Sequence, residues 1–248
     1  MITIKSKSEI EKMRLACKIT GDVLKEIEKH IKPGISTKQL DKIAHNYIVS
    51  RGATPSFLNY NGFPGSICAS PNDVVVHGIP AKEVVLAEGD IISVDVGAYI
   101  DGYHGDAART FAVCEISDEA KRLIEVTKQS FFEGIKYACH GAKLGDVSAA
   151  IQEYVESNGY SVVRDLVGHG IGRNLHEDPN VPNFGKKGRG VKLAAGMTLA
   201  IEPMVNVGEY DVCVLEDDWT VVTEDGSLSA HYENTILITK DGCKILTL

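Results

Sequence analysis

Apolar residues recur at Ile10, Met13, Cys17, Leu24, Ile27 and Ile31, and again at Leu40, Ile43, Tyr47 and Ile48. Both sets keep the three-and-four spacing of a helix with one buried face. Ser8-Glu9-Ile10-Glu11 has the form of a capping box for the first helix, and Pro33-Gly34 stops it. Ser36-Thr37-Lys38-Gln39 caps the second, which Gly52 closes. Residues 53–83 are rich in Gly, Pro, Asn and Ser and read as loops and short strands. The period then changes. Ile91 to Val96 and Arg109 to Val113 have the β-branched, apolar character of buried strands. Asp101-Gly102 between them signals a hairpin turn, with Gly97 and Gly105 as bulge or bend positions. That hairpin carries Asp95 and Asp106 on opposite strands, near the same rung.

The cycle then repeats. Ser117 or Asp118 opens a helix bearing Leu123, Val126, Phe131, Ile135 and Ala138 and ending near Gly141. Asp146 opens another, with Val147, Ile151 and Val155, closed by Asn158-Gly159. Leu193-Ala194-Ala195-Gly196 then matches Leu86-Ala87-Glu88-Gly89 at an offset of 107 residues. Each L-A-x-G is followed six residues on by a carboxylate in an apolar strand, Asp95 in one copy and Glu202 in the other. Two helices and an acid-bearing strand pair, written twice, predict a pseudo-two-fold α+β fold. The halves run to about residue 115 and from 116 to 248, share one sheet and form a single domain.

Composition narrows the function. A chain of 248 residues is long enough for one large core, and a net charge of −8 argues against nucleic acid or an anionic membrane as the main partner. No apolar run approaches the roughly eighteen residues of a membrane span. The N-terminus is charged and helix-like rather than a secretory signal. Six scattered cysteines, with no CxxC or finger spacing, read as reduced thiols in a cytoplasmic protein.

The candidate chemistry is acidic. A carboxylate in an apolar strand is costly to bury without a cation to meet it, and two that face each other repel. Glu202 precedes Pro203 at a strand end, and Glu233 sits in a run whose alternation puts His231, Glu233 and Thr235 on one face. Any one of these acids alone is ordinarily solvated; four in apolar strands are hard to treat as independent. His169 lies among glycines in GHGIG, His176 in a loop seven residues on, and His77 where a valine run breaks into a turn. Each histidine alone reads equally as a hydrogen-bonded structural residue; His104 and His231 stand near the site strands with no role assigned. Asp95, Asp106, Glu202, Glu233 and His169 make an oxygen-rich set that suits a pair of Mn, Fe(II), Co or catalytic Zn ions, not structural zinc. Such a pair can share a water, lower its pKa and polarise a carbonyl.

Asp95 and Asp106 eleven apart, GHGIG at 168–172, HEDP at 176–179, IEP at 201–203 and SAHYENT around Glu233 together resemble the type I, bacterial-type methionine aminopeptidases. The resemblance spans essentially the whole chain. It implies a pita-bread fold, with a central curved antiparallel sheet flanked by two pairs of helices. It also implies removal of N-terminal methionine from nascent chains whose second residue is small, by a metal-bridging hydroxide attacking the first peptide bond. Asp95 would hold one of two divalent ions, Asp106 and Glu233 would bridge both, and His169 and Glu202 would complete the other. Glu202 would also exchange the proton of the attacking water. His77 and His176 would contact the scissile peptide, His176 meeting the developing charge. Tyr60, Phe63, Cys68, Leu175 and Trp219 match positions lining the methionine pocket, and Asn61 stands where relatives commonly carry histidine. Family habit implies a monomer working near the ribosome.

Three other readings share features. Aminopeptidase P and prolidase use the same five ligands but carry a large N-terminal domain, whereas here only two helices and a loop region precede Asp95. A phosphoesterase would need a basic clamp, and Arg164, Arg173 and Arg189 are scattered. A non-enzymatic binding module of the same fold is expected to have lost ligands, and this chain keeps all five.

Overall fold

Ser6, not Ser8, starts the first helix. In the computed structural model, which describes residues 2–248, α1 spans Lys7–Glu28. The extended Ser6 accepts from the Glu9 N–H, and the Glu9 carboxylate accepts from the Ser6 N–H. The S-x-x-E pattern occurs in both frames, and tertiary contacts select one: Glu9 also accepts from the Tyr103 hydroxyl at 2.7 Å and from Arg173 at 3.1 Å. The helix ends well before Pro33. α2 (Thr37–Ser50) is capped by Ser36 and Gln39 as the sequence predicts. α3 (Asp118–Ile135) takes Ser117 as its cap and stops before Gly141. α4 (Leu144–Ser157) begins earlier than expected. Asp146 lies inside its first turn, where its carboxylate accepts from the Lys143 N–H at 3.0 Å.

The repeat is physical. α2 and α4 are offset by 107 residues at both ends. The Gly34 N–H bonds the Leu86 carbonyl and the Leu86 N–H returns to Ile35; Gly141, Leu193 and Ala142 do the same in the second half. Gly89 and Gly196 hold φ of +96° and +95°, a left-handed conformation that costs glycine nothing. Each L-A-x-G is therefore the same turn, tying the linker between paired helices to the strand that carries an acid.

First-half strands are β1 (Thr54–Pro55), β2 (Ile67–Pro71), β3 (Val74–Val76), β4 (Ile91–Ile100) and β5 (Tyr103–Ala112). β4 and β5 turn at Asp101 and Gly102, both at positive φ as a two-residue hairpin of the primed type requires. Their register is unbroken from Ile91↔Ala112 to Ile100↔Tyr103, so Gly97 and Gly105 are not bulges. They answer to close approach instead. A Cβ on Gly105 would stand 2.6 Å from the backbone of Cys17 in α1, and one on Gly97 would stand 2.7 Å from Ser56 Cβ. Alternation then sends Asp106 to the face away from α1. Asp95 lies opposite Ala108 and Asp106 opposite Gly97. The two aspartates are thus diagonal neighbours on one face rather than members of one rung.

Second-half strands are β6 (Ser161–Val162), β7 (Gly168–Gly170), β8 (Glu177–Val181), β9 (Thr198–Ile201), β10 (Met204–Asn206), β11 (Val212–Val214), β12 (Val221–Thr223), β13 (Ser229–His231), β14 (Asn234–Ile238) and β15 (Cys243–Ile245). β9 lies between β14 and β7, antiparallel to both. Separate apolar clusters fill the space between each helix pair and its strands, one around Leu40, Ile48 and Val94, the other around Phe131, Ile151 and Ile236.

The halves meet where β5 runs alongside residues 231–235. β3 and β12 also pair across the halves; along β5 a single backbone bond crosses, from the Glu233 N–H to the Ala108 carbonyl at 3.0 Å. On either side a threonine hydroxyl takes the place of a ladder partner. Thr235 accepts from the Asp106 N–H at 3.1 Å and donates to its carbonyl at 2.9 Å. Thr110 does the same for His231, at 2.9 Å each way. The strands are antiparallel as expected, but they form four separate sheets rather than one shared sheet, and hydroxyls stitch the middle of the layer. Thr235→Val should therefore leave a buried N–H and carbonyl unpaired at Asp106 and cost about 1–3 kcal/mol. Urea denaturation measures this; Thr235→Ser, which keeps the hydroxyl, should retain most of the stability.

Candidate active site

Five side chains from the two halves converge at this seam. Asp95 and Asp106 descend from β4 and β5, Glu202 follows the end of β9, Glu233 sits between β13 and β14, and His169 is the middle residue of β7. One ligand atom each from Asp106, His169 and Glu233 lie within 4.8 Å of one another. His169 Nε2 stands 3.6 Å from Glu202 Oε1 and 3.8 Å from Asp106 Oδ2. Its Nδ1–H donates to the Gly170 carbonyl at 2.9 Å, which leaves the Nε2 lone pair facing the acids. The glycines beside it are needed for space: a Cβ on Gly168 would collide with the Ala200 carbonyl, and one on Gly170 with that of Asp178.

Burial sets the electrostatics. Asp106 is 3 % exposed and Glu233 2 %. Desolvation pushes the Asp95 pKa up to about 7. It raises Asp106, Glu202 and Glu233 well above the carboxylate range, and the neighbouring carboxylates add to the rise. Burial also pushes His169 down to about 3, so its ring is neutral. Asp95 and Asp106 are diagonal on one sheet face, and Asp106 and Glu233 offer ligand atoms within 4.8 Å of each other, a crowding that carboxylates tolerate only by sharing a proton or a cation. Asp95 Oδ1, Asp106 Oδ1 and Glu233 Oε1 are buried with no hydrogen-bond donor among the described residues. The adjacent Arg109 guanidinium bonds the carbonyls of Ala108 and Glu233 and the Asn234 side chain instead of the acids.

Unpaired buried carboxylate oxygens around a neutral imidazole acceptor fit a hard divalent cation. Stability should reveal this. A group whose folded pKa is raised adds stability below its unfolded pKa and loses it as pH rises through the folded value. For Asp95 that window runs from the ordinary 3.8 to about 7. The metal-free protein should therefore melt lower at pH 8 than at pH 6. Added Mn2+ should raise Tm more at pH 8, where the ligands are ionised. Calorimetric scans at both pH values check this.

The acids lie in a cavity of about 560 Å3. Its lining includes all twelve residues singled out from the sequence: the five above, His77 and His176, and Tyr60, Phe63, Cys68, Leu175 and Trp219. Phe63 and Trp219 meet edge to face with ring centroids 5.1 Å apart, and the buried Cys68 and Leu175 pack in the same apolar cluster. His77, left-handed at φ +58°, follows β3, and burial lowers its pKa. His176 sits at the mouth with Nδ1 2.8 Å from the Tyr60 hydroxyl and its ring centroid 4.2 Å from that of His169. Asn61 also lines the cavity, in a left-handed turn. The sequence reading missed Phe57, Val76, Asp165, Leu166, Val167 and Met204. Residues 165–167 immediately precede GHGIG, and Val76 and Met204 adjoin His77 and Pro203, so proximity to the motifs was the available signal.

None of the six cysteines is disulfide-bonded, and no described helix is long and apolar enough to cross a membrane. The sequence profile of metallopeptidase family M24 matches residues 11–240. Methionine aminopeptidase of Clostridium acetobutylicum is 61 % identical over 248 residues, covering 100 % of this chain and 99 % of the relative. The crystal structure of methionine aminopeptidase from Rickettsia prowazekii superposes with a TM-score of 0.98 at 47 % identity, covering all of both chains. That of methionine aminopeptidase from Thermotoga maritima also gives 0.98, at 51 % identity, covering 100 % of this chain and 99 % of that one. These structures place the two-half architecture among the pita-bread folds. With a profile match over most of its length and relatives this similar from end to end, the chain belongs to metallopeptidase family M24.

Proposed function

We propose that the protein is a metal-dependent aminopeptidase that removes the N-terminal methionine of nascent polypeptides in the cytoplasm. One juxtaposition carries the reading: an acid and imidazole cluster built for cations lies beside an apolar slot lined by aromatic rings and a thiol. Asp95, Asp106, His169, Glu202 and Glu233 would hold a pair of divalent ions. When bound, these supply Lewis acidity, which acidifies water and polarises the scissile carbonyl.

The remaining work belongs to the side chains. Glu202, its proton affinity raised by burial and by Asp95 and Asp106, takes a proton from the attacking water and returns it to the departing amine. His176 Nδ1 and the Tyr60 hydroxyl are hydrogen-bonded at 2.8 Å; in the tautomer whose Nδ1 accepts there, Nε2–H donates to the oxygen of the tetrahedral intermediate. His77, desolvated and neutral, contacts the first peptide group. Phe63, Cys68, Leu175 and Trp219 accept an unbranched thioether, which adapts to a slot that excludes branched chains. The walls carrying His77 and His176 press on the second residue, which must be small.

Metal-replete protein assayed against Met-Ala-Ser, Ala-Pro-Ala and a phosphate monoester tests the reading. Release of methionine alone is expected. Cleavage before proline only would move the protein to the proline-directed branch of the fold.

A further inference from the structure

The buried imidazole of His231 faces the acid cluster without a partner of its own. It is 1 % exposed, and neither ring nitrogen has a hydrogen-bond partner among the described residues. Its backbone is held firmly: Thr110 bonds its N–H and carbonyl from β5, and it pairs with Met204 in β10. The ring is therefore placed, not free to wander. Nε2 lies 3.9 Å from Glu202 Oε2, while the other oxygen of that carboxylate, Oε1, faces His169 Nε2 at 3.6 Å. Glu202 thus stands between two imidazoles. A neutral ring carries one N–H donor and one acceptor.

A buried imidazole with both nitrogens unpartnered costs the fold stability, because its desolvation is not repaid. An aliphatic side chain would fill the same space without that penalty. The polar group is therefore explained by its neighbour, and its neighbour is Glu202. The Glu202 carboxylate needs a shift of about 1 Å at Oε2 to reach ordinary N–H···O distance.

We propose that His231 is a positioning residue for Glu202: its ring N–H holds Oε2 and so presents Oε1 to the metal cluster. The inference rests on the reading of Glu202 as a metal ligand. It gives His231 no contact with substrate. Outer partners of this kind orient a ligand and tune its basicity, and their loss commonly weakens metal binding by about 10–100-fold.

The test uses the full chain carrying His231→Leu or His231→Gln, with Mn2+ affinity measured by calorimetry and Tm measured on the metal-free protein. His231→Leu should weaken Mn2+ binding by about 10–100-fold while the metal-free Tm stays level or rises. His231→Gln, which restores an N–H donor, should recover most of the affinity. If the leucine variant does not fold, His231→Met takes its place. Wild-type affinity in the leucine or methionine variant would overturn the inference alone. So would a lowered metal-free Tm with an affinity loss that glutamine does not restore, since that describes a structural spacer. A wild-type chain that takes up no Mn2+ overturns the metal reading itself, and this inference with it.

Discussion

Glu202→Gln is expected to lower turnover of Met-Ala-Ser by roughly 10²–10⁴-fold while leaving the fold intact and part of the metal bound. Glutamine keeps the shape and one carbonyl oxygen of the side chain, so it can still ligate weakly. It cannot accept a proton. Glu202 suits that task because burial, reinforced by the charges of Asp95 and Asp106, raises its proton affinity well above that of an ordinary glutamate. A carboxylate poised in this way can take a proton from water and then give it to an amine. Imidazole nitrogens flank it on both sides, His169 Nε2 at 3.6 Å and His231 Nε2 at 3.9 Å. Steady-state kinetics combined with elemental analysis separates the two functions. Near wild-type turnover with metal present would remove Glu202 from the proton-transfer role.

The second large effect is expected at His176. His176→Ala should reduce kcat by about 10²–10³-fold with metal content unchanged. The side chain stands at the mouth of the cavity rather than among the acids, and its Nδ1 is engaged by the Tyr60 hydroxyl at 2.8 Å. That bond orients the ring, and the tautomer whose Nδ1 accepts from Tyr60 carries Nε2–H as the donor the reaction needs. A preorganised donor matters most where charge develops, so the loss should fall on kcat more than on KM. His169 is close by, with ring centroids 4.2 Å apart, yet the nitrogen it turns to the acids is oriented by the Gly170 carbonyl and not by His176. Elemental analysis decides the point. Loss of metal in the alanine variant would show that His176 supports the cluster instead of meeting the substrate.

Much of this architecture was written locally. The L-A-x-G repeat predicted two equivalent acid-bearing strands, and the hydrogen bonds around Gly34 and Gly141 show why the repeat exists: each copy closes the same turn. Asp101-Gly102 made the hairpin legible because two consecutive positive-φ residues have few alternatives. The features that were not legible depend on distant chain. Two S-x-x-E frames overlap at the first helix, and only Tyr103 and Arg173, arriving from elsewhere, choose Ser6 over Ser8. Gly97 and Gly105 read as bulges because a local pattern cannot distinguish a bend from a place where another backbone comes close. The hydroxyl stitching by Thr110 and Thr235 has no local signature, since threonine suits any strand. Asp165, Leu166 and Val167 carried only their adjacency to GHGIG as a signal, and it is the fold that brings them to the cavity wall. Acids in apolar strands were the exception, conspicuous in sequence because their burial has no cheap explanation.

The most direct test is an anomalous-diffraction map of crystals grown with Mn2+. We expect two peaks at the seam between the halves, each within bonding distance of a subset of Asp95, Asp106, His169, Glu202 and Glu233, with all five used. A map in which Mn2+ sits elsewhere, or in which any of those five points away from both peaks, would contradict the account.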